Sequence, residues 1–231
     1  MAYNLEMFLR QLENYGPLGA DDRSSIMSLP FSTQHFKKQQ YIAHQGDLSS
    51  HLLIVSSGFA VQQNITGSGS RQILALNVQG DMLNIASMFL EKLDSEILAL
   101  RSSDIIYIQK DAFIAAFTTR PAIAYAIFVM SLAESRLNRA QILNIGRRDA
   151  RARIANFLCT HVERMQARQL MPDGIFDMPM TQEQIGDATG LTAVHVNRMI
   201  KSFVLDGIIS LSGRSVKINS YAGLKEIGDY I

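Results

Sequence analysis

Ala193, Val194, Asn197, Arg198 and Lys201 recur at intervals that place short or cationic side chains on one outward face of a helix, near its N-terminal end. Such a face suits a DNA groove: short side chains let the helix in, and the longer ones bring cations and hydrogen-bond donors to phosphates and base edges. The residues around it read as the scaffold such a helix needs. Thr192 is its N-cap, and Val196, Met199, Ile200 and Phe203 form its inward face. Before it, Thr181 caps an earlier short helix, and Gln184 three residues later completes a capping box. Ile185, Ala188 and Leu191 give that helix an apolar side, Gly190 ends it where a left-handed residue costs little, and Gly186 leaves room for the two helices to approach. The whole is the layout of a helix-turn-helix with a recognition helix.

The chain has 231 residues, enough for two domains, and 47% hydrophobic content excludes a disordered protein. One cysteine excludes a disulfide framework and any cysteine-rich metal or cluster site, and it fits a reducing cytoplasm. Met1 to Glu6 holds no basic region followed by an apolar run, so no signal peptide is expected. The most apolar window, Ala122 to Met130, is far short of the ~20 residues of a membrane helix. The net charge of +1 argues against strong non-specific DNA binding, yet cations cluster locally. Arg147, Arg148, Arg151 and Arg153 lie together, and Arg198, Lys201, Arg214 and Lys217 recur in the last third.

Residues 6 to 29 read as short helical pieces. From Phe36 to Ile108, apolar runs such as Leu52–Val55, Phe59–Val61, Ile73–Leu76, Ile97–Leu100 and Ile105–Ile108 alternate with glycine turns. Strands at that spacing indicate a small barrel or jelly roll. The pattern is helical again from about Asp111 to Ile145, with Pro121 at a helix start. Within this stretch Phe128, Leu132, Ser135, Arg139 and Ile142 step by four, three, four and three, a heptad seam that predicts pairing with a second copy. The same stripe could instead pack on the barrel. Asp149 caps a further helix through Ile154, Phe157, Leu158, Val162 and Met165. After the helix-turn-helix, two apolar runs around Ser212-Gly213 form a hairpin with Arg214 beside its tip, the wing of a winged helix. The fold class is therefore α+β: a double-stranded β-helix or jelly-roll domain at 1–118, a dimerisation helix and hinge at 119–147, and a winged helix-turn-helix at 148–231.

This order of parts resembles the Crp/Fnr family of bacterial transcription regulators. The resemblance is carried by Arg153-Ile154-Ala155, by Met180 to Ile200, by Asp206-Gly207-Ile208-Ile209 and, in the barrel, by Gly46-Asp47, Gly58 and Gly80-Asp81. It implies a homodimer on double-stranded DNA with a pseudo-palindromic operator, RNA polymerase as a partner, and a small-molecule effector in some members. At the position of Arg198 the family commonly donates to guanine, for which a guanidinium presents two donors to O6 and N7. Val194 stands where the best-known members carry an acidic residue and Ala193 where they carry a basic one, so a different half-site is expected. Thr181, Thr192, His195, Lys201 and Arg214 fall at positions implied to hold phosphate.

The sensory half departs from the family pattern. Asn84-Ile85 stands near the usual Gly-Glu pair and Leu93-Asp94 near the usual Arg-Ser pair, where a carboxylate would repel a phosphate. Cyclic AMP is therefore not the expected effector. Any other effector would meet Asn84 and Ile85 in the barrel, or Asn138 and Arg139 on the long helix. No N-terminal cysteine cluster, metal-ligand spacing or nucleophile motif appears, so neither a cofactor nor an enzyme is expected. Cys159 reads as a core thiol and His161 with Glu163 as a solvated pair. Arg139, a cation on a heptad seam, calls for an edge salt bridge or a ligand. The rival reading is a ligand-sensing module that acts through protein contacts with little DNA binding. A salt-dependent shift with operator-sized DNA separates the two.

Overall fold

The computed structural model describes residues 5–230, so most of the Met1–Glu6 stretch lies outside the described residues. The chain forms two compact units, the first ending at Arg136 and the second beginning at Leu137.

The first unit opens with α1 (Glu6–Glu13) and α2 (Ala20–Met27). A roll follows from β1 (Phe31–Phe36), β2 (Tyr41–Ala43), β3 (His51–Ser57), β4 (Ala60–Ile65), β5 (Arg71–Asn77), the short α3 (Ser87–Leu90), β6 (Glu96–Ala99) and β7 (Ser103–Gln109). The strands form two antiparallel sheets, ordered β1-β7-β3 and β2-β6-β4-β5. The run Leu52–Val55 is apolar throughout because both of its faces are covered. Leu53 and Val55 meet Ala60, Ile97, Ala99 and Ile105 between the sheets. Leu52 and Ile54 face the other way, into a core shared with Leu9, Leu12, Phe113, Ile123 and Met130 from the helices.

The helical stretch breaks into α4 (Lys110–Thr119) and α5 (Pro121–Arg147), bent by 106°. Arg120, at φ −122° and ψ 92°, is the pivot, because the following proline disfavours helical geometry in the residue before it. Among the described residues no single helix is long and apolar enough to cross a membrane.

The second unit carries α6 (Ala150–Ala167), β8 (Ile175–Asp177), α7 (Gln182–Thr189), α8 (Ala193–Leu205), β9 (Ile209–Ser212), β10 (Ser215–Ile218) and α9 (Tyr221–Ile227). Asp149 caps α6 by accepting from the Ala152 amide at 2.9 Å, and the expected inward residues Ile154, Phe157, Leu158, Val162 and Met165 are all buried. The sheet runs β8-β10-β9, and α6 packs on α7, α8 and α9. Strand β1 and helices α3 and α9 lie where the sequence pattern predicts no element.

Candidate nucleic-acid interface

The geometry of α7 and α8 follows from four residues at their ends. Thr181 Oγ1 accepts from the Gln184 amide at 3.2 Å, and Gln184 Oε1 accepts from the Thr181 amide at 2.9 Å. Two of the orphan donors at the start of α7 are thereby satisfied. Gly190 closes α7 in the left-handed region at φ 68°. Thr192 Oγ1 accepts from the His195 amide at 3.3 Å and lies 3.0 Å from His195 Nδ1, so this hydroxyl engages both the start of α8 and the imidazole. Val196 and Phe203 are fully buried on the inner side of α8, with Met199 and Ile200 half-buried beside them.

That burial turns a stripe outward. Val194 is 77% exposed, and Arg198 and Lys201 are exposed one and two turns further on. Asn197 lies on the same stripe, half-buried, and its Nδ2 donates to Gln182 Oε1 at 3.0 Å. Ala193 is also half-buried, at the foot of α8 where its backbone passes close to Gly186. Thr181 is exposed at the head of α7 and Arg214 at the tip of the β9–β10 hairpin. Fifteen positions separate Asn197 from Gln182, so no local spacing in the sequence connects them.

The arginine cluster near position 150 has another role than the free charge the sequence suggested. Arg153 Nε donates to Arg148 O at 2.8 Å, and its Nη1 reaches Thr189 O and Gly190 O, both at 3.4 Å. A cation at the C-terminal end of α7 is where orphan carbonyls and the helix dipole both favour one. Arg151 donates to Ser202 Oγ at 2.8 Å and to Asp206 Oδ2 at 2.5 Å, and its guanidinium stacks over the Phe203 ring. Arg148 donates to the Asp229 carbonyl at 2.8 Å. Three of these four arginines are therefore ties within the unit, while Arg147 is exposed, as are Arg198, Lys201, Arg214 and Lys217.

Further along α6, His161 and Glu163 are not the solvated pair expected from their spacing. His161 is 7% exposed, with its Nδ1 3.1 Å from Phe157 O and its ring against Phe157. Burial, with the nearby Arg164 cation, lowers its pKa to about 4. Glu163 instead accepts from Tyr221 Oη at 3.0 Å and Tyr230 Oη at 2.8 Å, which fastens the C-terminal segment. Cys159 is fully buried as expected, and desolvation with the Glu163 charge pushes its thiol up to about 12 against a smaller opposing pull from Lys225.

In the roll, Asn84 is buried with its carboxamide committed to the protein. Its Oδ1 accepts from the Leu53 amide at 2.8 Å, and its Nδ2 donates to Ser49 Oγ at 2.7 Å and His51 O at 2.8 Å. Ile85 packs on the helical core, and Leu93 is buried between the sheets. His35 and His44 each pair with a carboxylate, Asp104 and Glu96, both at 2.8 Å. On α5, Phe128, Leu132 and Ile142 are 59%, 53% and 73% exposed, with Ser135, Asn138 and Arg139 exposed among them.

Comparison with known proteins bears on this arrangement. Residues 33–120 match the cyclic nucleotide-binding domain model, and residues 152–227 match the Crp-like helix-turn-helix domain model. The transcriptional activator protein FnrA of Stutzerimonas stutzeri is 24% identical over 207 residues, covering 90% of this chain and 84% of its own. The transcriptional activator protein FnrL of Cereibacter sphaeroides is 26% identical, covering 84% and 79%. Among solved structures, FixK2 from Bradyrhizobium japonicum superposes with a TM-score of 0.77 at 23% identity, covering 86% of this chain and 98% of its own. With both domains matched in the order the fold displays them, the chain belongs to the Crp/Fnr family of transcription regulators and is a DNA-binding regulator that acts through its helix-turn-helix.

Proposed function

We propose that the protein works as a homodimer whose two α8 helices enter successive major grooves of a pseudo-palindromic operator, about one helical turn apart. The observation that carries this reading is the outward stripe of Val194, Asn197, Arg198 and Lys201 on a helix whose opposite side is buried. Arg198 donates to guanine O6 and N7, and Val194 meets a thymine methyl. Ala193 keeps the foot of α8 slim. Thr181, Thr192, His195, Lys201 and Arg214 hold phosphates and fix the register without reading sequence.

The dimer forms along α5 through Phe128, Leu132, Ser135, Arg139 and Ile142, whose exposure supports an unfilled seam. Cyclic AMP is not the effector, a reading supported by the committed carboxamide of Asn84, the apolar Ile85 and the core position of Leu93. An effector, where one acts, engages Asn138 and Arg139 on α5. The protein resides in the cytoplasm and contacts RNA polymerase at its promoters.

The test is selection of operators from random DNA, followed by affinity measurements with Arg198→Ala. The variant loses ~1–3 kcal/mol on the selected site and relaxes preference at one base pair per half-site. Unchanged affinity and preference would remove Arg198 from the reading face.

A further inference from the structure

Asn197 and Gln182 meet across the two helices of the motif. Gln182 is the first residue of α7 and exposed, while Asn197 sits one turn into α8 on the stripe that carries Val194 and Arg198. Their contact is one hydrogen bond, Asn197 Nδ2 to Gln182 Oε1 at 3.0 Å.

A carboxamide on a helix surface carries little information while it is free to spin. Its oxygen and nitrogen ends exchange places, so it accepts from one base as readily as it donates to another. Gln182 Oε1, by taking one Nδ2 proton, holds the plane of the group and, as long as Gln182 presents its oxygen, which end points where. Asn197 is then left with an edge made of Oδ1 and the second Nδ2 proton, one acceptor beside one donor. In the major groove adenine presents the complementary edge, the N6 amino donor beside the N7 acceptor. Guanine presents two acceptors there, so its O6 would face Asn197 Oδ1, oxygen against oxygen.

We propose that Gln182 is a positioning residue that holds Asn197 to read adenine at one base pair of each half-site. The proposal rests on the reading of α8 as the groove-facing helix. It makes base choice depend on a side chain of α7, a helix whose exposed end otherwise serves only phosphate. It also assigns the specificity of this operator to this pair rather than to Arg198 alone. Gln182→Glu keeps an acceptor at the same reach, whereas Gln182→Leu keeps the bulk and removes the acceptor.

The experiment selects binding sites from a randomised DNA library with the full-length protein and with Asn197→Ala, Gln182→Leu and Gln182→Glu, each variant first checked for an unchanged melting temperature. The native protein enriches adenine at a position that Asn197→Ala flattens by about tenfold, the scale of one bidentate contact. Gln182→Leu flattens the same position by several-fold and no other, and Gln182→Glu retains the preference. The proposal is overturned if that position prefers guanine, if Asn197→Ala changes nothing, or if Gln182→Leu changes nothing or weakens all sequences alike. That last result would make Gln182 a phosphate contact. A native protein that enriches no motif at all would instead defeat the groove-facing reading of α8.

Discussion

Gly186 on α7 lies so close to the Leu191 carbonyl that a Cβ built on it would stand 2.4 Å from that oxygen. Leu191 belongs to the turn that launches α8, so the bare Cα of Gly186 sets how near the two helices come. The nearest obstacle is backbone, which a rotamer change cannot clear. Gly186→Ala gains up to about 1 kcal/mol of helix propensity, and overpacking against a fixed carbonyl costs roughly 1–3 kcal/mol. The cost prevails. The variant should unfold at a lower temperature and bind operator more weakly, because α8 is displaced from the caps that aim it. A melting temperature equal to or above the native one would show that the turn yields freely.

The seam on α5 gives a second prediction. Phe128, Leu132 and Ile142 are large apolar side chains more than half exposed along one helix face, more than a chain acting alone needs to leave in water. Leu132→Glu introduces a charge at the middle of the stripe without touching the buried Ile123, Ile127 and Met130. The expected product is a folded monomer by sedimentation equilibrium, with far weaker binding to a full operator and little change on an isolated half-site. A variant that remains dimeric would place the interface elsewhere.

His161 makes the DNA-binding unit acid-sensitive. Its pKa falls from 6.5 in the unfolded chain to about 4 in the fold, so between those values the unfolded state binds more protons. Stability is therefore full above pH 6.5 and lost progressively as pH falls toward 4, by about 3 kcal/mol at the limit. Urea midpoints should decline over that window in the native protein, and His161→Leu should remove most of the decline. An unaltered pH profile in the variant would assign the acid sensitivity to other groups.

What could be read in advance followed from how local the cause was. The caps of α7 and α8 were legible because Thr181 with Gln184, and Thr192 with His195, act within one turn, and Gly190 marks the helix end by its own backbone. Strand β3 was legible as an unbroken apolar run because both of its faces are covered. Strand β1 was not, since Phe36 is its only fully buried side chain and an edge strand with five partly or fully exposed positions leaves no alternating signal. Helix α9 escaped for a similar reason: Leu224 alone is buried in it. The arginines near position 150 were misjudged because charge can be counted in a sequence but its partners cannot. Arg151 finds Asp206 and Arg153 finds Gly190 only after the chain has folded. The Gln182–Asn197 contact belongs to the same class.

Cys159 supplies the last prediction, one that separates a packing thiol from a redox switch. It is fully buried on α6, and desolvation with the Glu163 charge pushes its pKa to about 12. The thiolate is the reactive form, so at pH 8 only about one thiol in ten thousand would be competent, before access is considered. Reaction then has to await opening of the helix from its neighbours, and its rate follows the population of the open form. Iodoacetamide should leave the folded protein unlabelled over hours and label it within minutes in denaturant. Mild oxidants should leave operator affinity unchanged, and Cys159→Ser should bind operator like the native protein while melting at a lower temperature. Rapid labelling of the native fold, or loss of DNA binding on oxidation that Cys159→Ser abolishes, would make this thiol a sensor.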